Sequence, residues 1–247
     1  MNQLHYRKEL ETILANYKVS SDGLNLLVKI PLVLLSGPSA VGRNTIINEL
    51  LKTGDYHFIV SDTTRKPRTN NGIQEKNGIN YWFRKEDDVL EDLRSGKFLE
   101  AEIIHDQQVS GISIRELERA QMENKIAIKD IEIGGFNNVS AIKPDSVGIL
   151  ILPPSFNEWI RRLTNRGEMS KAEIINRLET GRRIFKEALN NKTLNIVVND
   201  RLDAAAKEID ILAHGGVQQN KRVNLDLLGS LFDQTSKYLL DKGSSAS

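Results

Sequence analysis

The stretch Gly37-Pro38-Ser39-Ala40-Val41-Gly42-Arg43-Asn44-Thr45 decides the fold of this 247-residue chain. It follows a short apolar run, Ile30–Leu35, of the kind seen in buried parallel strands. It precedes Thr45–Leu51, in which isoleucine and leucine recur at helical spacing. A glycine-bearing loop in this position directs successive backbone N–H groups inward, at the positive end of a helix dipole, where phosphate groups bind. The stretch therefore predicts a phosphate-binding loop of the Walker A type.

Two positions of this loop depart from the Walker A pattern. Arg43 stands where lysine is usual, and Asn44 stands where serine or threonine binds Mg²⁺. Arg43 keeps the charge in a bulkier planar group, Asn44 offers the metal a carbonyl oxygen, and Thr45 offers a hydroxyl one position later. On the loop alone, a glycine-rich turn without a nucleotide stays an alternative. The residues assigned to ATP are Gly37, Pro38, Ser39, Ala40, Val41, Gly42, Arg43, Asn44 and Thr45.

The rest of the chain alternates apolar runs with helical patterns, which predicts an α/β fold with a parallel sheet covered on both faces. The further predicted strands are Phe58–Val60, Ile126–Ile131, Val147–Leu152 and Leu194–Val198. The predicted helices are Glu86–Arg94, Phe156–Ala188 and Leu202–Leu212. Residues 61–80 are polar and are interpreted as a loop-rich region.

Composition narrows the class of protein. With 34 basic and 33 acidic residues the net charge is +1, which gives no support to a nucleic-acid partner. The chain has no cysteine, which excludes disulfides and thiolate metal sites. No apolar run approaches the roughly 20 residues of a membrane-spanning helix. We expect a cytoplasmic protein without a nucleic-acid or membrane partner, present as a monomer or homodimer.

A second polar segment, Ser61-Asp62-Thr63-Thr64-Arg65-Lys66-Pro67-Arg68, predicts an oxyanion clamp. Its two arginines lie three residues apart in a loop, and their planar groups suit two-point binding of phosphate. The neighbouring hydroxyl groups add neutral hydrogen-bond donors. The segment is therefore suited to binding a phosphate group.

With this segment included, the chain resembles the guanylate kinase family. The matching elements occur in the family's order from about Ile30 to Leu212. The family's S-x-T-T-R-x-P-R element matches Ser61–Arg68, and its G-x-D-Y-x-F element resembles Gly78–Phe83. Further elements that resemble the family are Phe98–Glu100, Asp130–Glu132, Pro153–Ser155, Arg162–Gly167, Arg177-Leu178 and Val198–Asp200. A set of this size is far more specific than one loop.

The resemblance implies an ATP:GMP phosphotransferase that uses Mg²⁺, built on a P-loop NTPase-type parallel sheet with a GMP-binding insert and a helical lid. The residues implied to bind GMP are Ser61, Arg65, Arg68, Tyr81, Glu100 and Glu132. Asp130 is implied in catalysis and, with Asn44, in holding the metal. Arg162, Arg166 and Arg177 are implied to close over the triphosphate, where they neutralise charge on the transferring group.

One family element, a tyrosine and glycine followed by serine or threonine, is not matched. The corresponding stretch, Gln107–Ser113, has no tyrosine, and Ile112 follows its glycine. Ser110 or Ser113 offers a partial substitute. A non-catalytic binding module, or a kinase of the same fold with another acceptor, therefore stays an alternative function.

The resemblance also sets the expected domain organisation. Residues 1–28 form a helical extension, 29–216 the kinase-like domain, and 217–247 an amphipathic helix with a disordered tail. Within the domain, the insert covers about 61–113 and the lid about 155–190.

Overall fold

The computed structural model describes residues 4–70, 72–165 and 169–243. In these residues there are eleven strands and ten helices. The strands are β1 (Leu32–Ser36), β2 (Tyr56–Phe58), β3 (Asp62–Thr63), β4 (Thr69–Asn70), β5 (Ile73–Gln74), β6 (Trp82–Phe83), β7 (Phe98–Ile104), β8 (Gln108–Ser113), β9 (Ile126–Asp130), β10 (Val147–Leu152) and β11 (Asn195–Val198). The helices are α1 (Arg7–Ala15), α2 (Ser21–Leu27), α3 (Arg43–Leu51), α4 (Glu86–Arg94), α5 (Ile114–Met122), α6 (Ile133–Ile142), α7 (Phe156–Thr164), α8 (Lys171–Leu189), α9 (Leu202–Ala213) and α10 (Lys221–Gly243).

The chain divides into two compact units. The first unit comprises the described parts of Met1–Pro31 together with Tyr56–Lys129 and Ala141–Lys143. The second unit comprises Leu32–Asp55, Asp130–Ser140 and the described parts of Pro144–Ser247.

The second unit contains three parallel strands in the order β11-β10-β1. Val33 pairs with Val147, and Leu150 pairs with Ile196. Every residue of β1 is buried, so both faces of this strand are covered, which explains its continuous apolar sequence. Helix α9 packs on α3, and α10 packs on α8 and β11. The predicted α/β fold with a parallel sheet flanked by helices is confirmed.

The first unit is built around a four-stranded sheet in the order β6-β3-β8-β7. Strand β8 runs antiparallel to both of its neighbours, and β6 runs parallel to β3. Strands β2 and β9 pair in parallel, and β4 and β5 form a small hairpin. The polar region 61–80, interpreted from sequence as loop-rich, contains β3, β4 and β5 within longer loops.

The N-terminal extension packs on the hydrophobic core of the first unit. Leu4 and Leu10 are buried in one cluster with Leu93, Phe98 and Val109, which come from α4, β7 and β8. The extension consists of two helices, because Ser20 caps α2 by accepting a hydrogen bond from the Gly23 N–H.

The predicted helix over Phe156–Ala188 is two helices, α7 and α8. Each begins with a serine cap: Ser155 accepts from the Glu158 N–H, and Ser170 accepts from the Glu173 N–H. These are S-x-x-E capping patterns, which mark a helix start. The predicted C-terminal helix is α10, and the expected tail beyond it lies outside the described residues. Among the described helices none is long and apolar enough to cross a membrane.

Candidate functional site

The loop between β1 and α3 is shaped by glycines that have no room for a side chain. Gly37 has φ +149°, and a Cβ there would lie 2.6 Å from the Ile151 carbonyl oxygen. Gly42 has φ +93°, and a Cβ there would lie 2.5 Å from the Asn199 amide nitrogen. Gly42 also caps α3, so the loop leads straight into the N-terminus of that helix, where an anion binds.

Two buried side chains of the second unit hold this loop by its carbonyl oxygens. The Trp159 Nε1–H donates to the Ser39 oxygen at 2.8 Å, and the Asn199 amide donates to the Val41 oxygen at 2.7 Å. These two donors fix the course of the loop's backbone, as a phosphate-binding loop requires. Neither anchor was identified from sequence, because each is more than 100 residues away along the chain.

The predicted lid residue Arg162 belongs to the same network. Its Nη1 donates to the Asn199 carbonyl oxygen at 2.9 Å, and its Nε donates to Glu158 at 2.7 Å. Because Asn199 binds the loop directly, Arg162 contacts the phosphate loop through one intervening residue, Asn199. Arg177, also predicted for the lid, is on α8 and pairs with Glu173 at 2.6 Å. The predicted Arg166 lies outside the described residues.

Arg43, Asn44 and Thr45 form the first turn of α3. The half-buried Arg43 donates from Nη1 to the Ile131 carbonyl oxygen at a long 3.5 Å. Asn44 and Thr45 are both exposed. Asp130 ends β9 and is half-buried; the next N–H, that of Ile131, donates to the Leu35 oxygen of β1 at 2.9 Å.

Glu132, predicted to bind GMP, is an exposed residue of the second unit. Its carboxylate pairs with Arg183 of α8 at 3.5 Å, and its side chain is 76% exposed. The other residues predicted for GMP, Ser61, Arg65, Arg68, Tyr81 and Glu100, all belong to the first unit.

The predicted oxyanion clamp is centred on Arg65. Its guanidinium lies over the rings of Tyr81 and Phe83, 4.6 and 5.5 Å from the two centroids. Glu75 accepts from Arg65 Nη1 at 2.5 Å and from Nη2 at 2.8 Å, and it also accepts from the Arg68 backbone N–H at 2.8 Å. The Arg68 side chain is exposed. Glu75 thus orients one arginine and the backbone of the other.

Two buried carboxylates of the first unit, both missed from sequence, hold polar groups of neighbouring elements. Asp62, in β3, is 1% exposed and accepts from Arg84 at 2.7 Å and from Arg115 at 2.8 Å. Burial raises the pKa of Asp62, although Arg115 and Arg84 counteract it. Glu116 accepts from the Trp82 Nε1–H at 2.9 Å. The partners Arg84, Arg115 and Trp82 lie 22 to 53 residues away along the chain, so no local pattern marked either carboxylate.

Glu100, the predicted base-recognition residue, lies on β7 opposite Ile112 of β8. Burial and the neighbouring Glu102 raise the pKa of Glu100 to about 7, and Lys129 lowers it only in part. A carboxylate in such a site gains from hydrogen-bond donors on a ligand, because they stabilise its ionised form.

Ser110, one of the two serines expected to substitute in part for the missing tyrosine, is already engaged. Ser110 is buried and donates from its hydroxyl to the Thr63 hydroxyl at 2.8 Å. The Ser110 oxygen also accepts from the Gln108 amide at 3.3 Å. Ser113 is buried at the start of α5.

The chain was compared with known proteins. The family model that matches is "Guanylate kinase", over residues 29–214. The guanylate kinase of Corynebacterium diphtheriae is 32% identical over 180 residues, which is 72% of this chain and 91% of that protein. The guanylate kinase of Bacillus anthracis is 32% identical over 197 residues, 78% of this chain and 91% of its own length.

Among solved structures, the guanylate kinase from Anaplasma phagocytophilum has a similar fold. It superposes with a TM-score of 0.54 at 24% identity and covers 81% of this chain and 92% of its own. The family model alone spans about three quarters of the sequence. The chain belongs to the guanylate kinase family.

Proposed function

We propose that this protein transfers the γ-phosphoryl group of ATP to GMP, giving ADP and GDP, with ATP on Gly37–Thr45 and GMP on the first unit. The observation that carries the acceptor half is the clamp around Arg65, whose guanidinium is held in place by Glu75 and stacked on Tyr81. A guanidinium held in this way is preorganised for a phosphate group, since little side-chain freedom remains to be lost on binding.

Guanine recognition rests on Glu100. Guanine presents an N1–H and a 2-amino group on one edge, and a carboxylate accepts from both. Adenine has neither donor there, so a buried carboxylate would be left unpaired against it, which makes rejection strong. The raised pKa of Glu100 supports this role, because a carboxylate in a half-buried site gains more from such donors than an exposed one.

The donor half consists of the phosphate loop and nearby cations. Backbone N–H groups of Gly37–Gly42 and the N-terminus of α3 receive the phosphates, and Arg43 replaces the usual lysine. Arg162, Arg166 and Arg177 neutralise charge that builds up on the transferring group. Transfer of this kind needs positioning and positive charge rather than a protein nucleophile.

Magnesium enters this proposal as part of the ATP complex. Asn44, with Thr45 as the alternative, and Asp130 would hold it, and the ion would neutralise charge between the β- and γ-phosphates. The exposure of Asn44 and Thr45 at the start of α3 supports this set. In the described residues no group of three acidic or histidine side chains is gathered to hold a metal.

A specific observation favours a second candidate, a kinase of this fold with a changed acceptor. Ser110, expected to substitute in part for the family's tyrosine, donates its hydroxyl to the Thr63 hydroxyl. One phenolic contact to the acceptor phosphate is therefore absent from β8. The carboxylate of Glu100 favours GMP over this alternative, whereas the clamp around Arg65 suits the phosphate of any nucleotide acceptor.

A coupled assay with ATP, Mg²⁺ and a panel of GMP, dGMP, AMP and UMP tests the proposal. We expect turnover with the two guanine nucleotides and loss of turnover on chelation of Mg²⁺. Turnover with another base but not with GMP would establish the changed acceptor. No turnover with any acceptor, combined with no binding of Mg²⁺-ATP, would establish a non-catalytic module.

A further inference from the structure

Strand β7 begins with a β-bulge. Phe98 pairs with Ser113 and Glu100 pairs with Ile112, so the partner strand advances by one residue while β7 advances by two. Leu99 is therefore the extra residue of the bulge.

The bulge decides which face of the sheet Glu100 occupies. Side chains alternate along a strand, so Phe98 and Glu100 would share a face if β7 were regular. With the extra residue, Phe98 packs in the hydrophobic cluster together with Ala101 and Ile103, three and five residues further along. In a regular strand, residues at these odd spacings would lie on the opposite face from Phe98. Glu100 is left on the other face of the sheet. A regular strand would bury either Glu100 in the core or Phe98 in the acceptor site.

Tyr17 of the N-terminal extension binds the backbone at this bulge. Its hydroxyl accepts from the Phe98 N–H at 2.7 Å and donates to the Phe98 carbonyl oxygen at 2.8 Å. Strand β7 is the edge of the four-stranded sheet, so no neighbouring strand supplies these two bonds. Burial raises the pKa of Tyr17 to about 12, so the hydroxyl keeps the proton that it donates.

The extension also contacts residues that flank β7 at both of its ends. The Ser20 N–H donates to the Gly96 oxygen at 2.9 Å, and a Cβ on Gly96, at φ +66°, would lie 2.7 Å from the Ser20 nitrogen. Beyond the other end of β7, Arg7 pairs with Asp106 at 3.1 Å. The bond at Tyr17 is thus the central one of three attachments, and the one nearest to Glu100 in sequence.

We propose that Tyr17 is a positioning residue for the acceptor base: by binding both backbone groups of Phe98, it maintains the bulge that directs Glu100 toward guanine. This inference rests on the proposed function, in which Glu100 binds guanine. Tyr17 lies outside the residues 29–214 that the family model matches, so the device belongs to this chain's own extension.

The test compares Tyr17→Phe with Tyr6→Phe in the full chain. Both substitutions remove one phenolic hydroxyl and keep the ring, and both rings pack against the same core cluster. The hydroxyl of Tyr6 interacts with Asp87 of α4 instead of β7. Any general effect of loosening the extension is therefore common to the two variants.

We expect Tyr17→Phe to raise KM for GMP about fivefold or more, as the loss of one or two net hydrogen bonds predicts. KM for ATP should stay within about twofold, because the change acts on one substrate only. Amide hydrogen exchange at Leu99 and Glu100 should become faster in Tyr17→Phe and stay unchanged in Tyr6→Phe. Gly96→Ala, which displaces the neighbouring Ser20 attachment, should also raise KM for GMP.

Three results would overturn the inference: an unchanged KM for GMP in Tyr17→Phe, equal increases in both KM values, or an equal effect of Tyr6→Phe. If Tyr17→Phe is unfolded at the assay temperature, the same criteria are applied to Gly96→Ala. Its KM values for GMP and ATP and its amide exchange at Leu99 and Glu100 then test the inference. A wild-type protein that does not phosphorylate GMP would refute the proposed function first, before any variant is compared.

Discussion

Glu75 binds Arg65 at two points, with the Nη1–Oε2 distance at 2.5 Å and the Nη2–Oε1 distance at 2.8 Å. The pair holds the pKa of Glu75 down at about 2, chiefly through the hydrogen bonds from Arg65. Glu75 is therefore ionised at any assay pH. The same carboxylate accepts from the Arg68 N–H, so one side chain organises the whole clamp.

Glu75→Gln should raise KM for GMP about tenfold and leave KM for ATP unchanged, since a charged hydrogen bond contributes about 1.5–3 kcal/mol and glutamine retains part of it. Steady-state kinetics with each substrate varied in turn measure both constants. Asp203→Asn is the control, because it removes a carboxylate from the exposed pair with Arg201, for which we expect no change. A lower KM for GMP in Glu75→Gln would mean that the carboxylate competes with the acceptor phosphate.

Glu100 should give the acceptor reaction a pH dependence. Its pKa is about 7 in the free protein, and only the ionised form accepts from both guanine donors. We expect kcat/KM for GMP to rise about tenfold per pH unit below 7 and to level off above it. Glu100→Gln should lower kcat/KM and abolish this rise, which separates it from ionisation of the GMP phosphate near pH 6. Because Glu102 raises the pKa, Glu102→Gln should move the midpoint to lower pH.

The same pKa predicts how stability changes with pH. The ordinary pKa of this group is 4.5 and its value in the folded protein is about 7, so between these values the folded state binds more protons than the unfolded state. This group's contribution is fully present below pH 4.5 and is lost as the pH rises through 7. Denaturant unfolding should find Glu100→Gln more stable than wild type at pH 8, by at most about 3 kcal/mol, with the difference reduced at pH 5. A difference that is the same at both pH values would contradict a raised pKa.

Arg43, which replaces the usual lysine of the Walker A loop, is the substitution expected to affect ATP most. If it contacts ATP phosphates, Arg43→Ala should cost about 2 kcal/mol, or roughly 30-fold in kcat/KM for ATP, and Arg43→Lys should change it only modestly. Lys52→Ala is the matched control, since it removes a positive charge at the other end of α3, from an exposed pair with Glu49. Equal activity of Arg43→Ala and wild type would show that this arginine takes no part.

The features predicted from sequence are those with a local signature. The apolar run of β1, the loop after it and the helical spacing from Thr45 all lie within about 20 consecutive residues. The partner of Arg65 was missed because Glu75 lies ten residues away, beyond the β4–β5 hairpin. Strand β7 was missed because its bulge at Leu99 breaks the alternation of apolar and polar residues. The division between α7 and α8 was missed although it had a local signature, the capping pattern Ser170-Lys171-Ala172-Glu173.

Gly181 of α8 offers a test of how the phosphate loop is held. A Cβ there would lie 2.3 Å from the Trp159 ring, whose N–H holds the Ser39 oxygen. Gly181→Ala should therefore displace Trp159, lower stability by about 1–3 kcal/mol despite the gain in helix propensity, and raise KM for ATP but not for GMP.

Gly229→Ala is its control on α10, because nothing lies within 4 Å of the added Cβ. That variant should gain about 0.5–1 kcal/mol with unchanged kinetics. Thermal unfolding and KM for each substrate, measured on both variants, check this; a stabilised Gly181→Ala would show that Trp159 has room to move without releasing the loop.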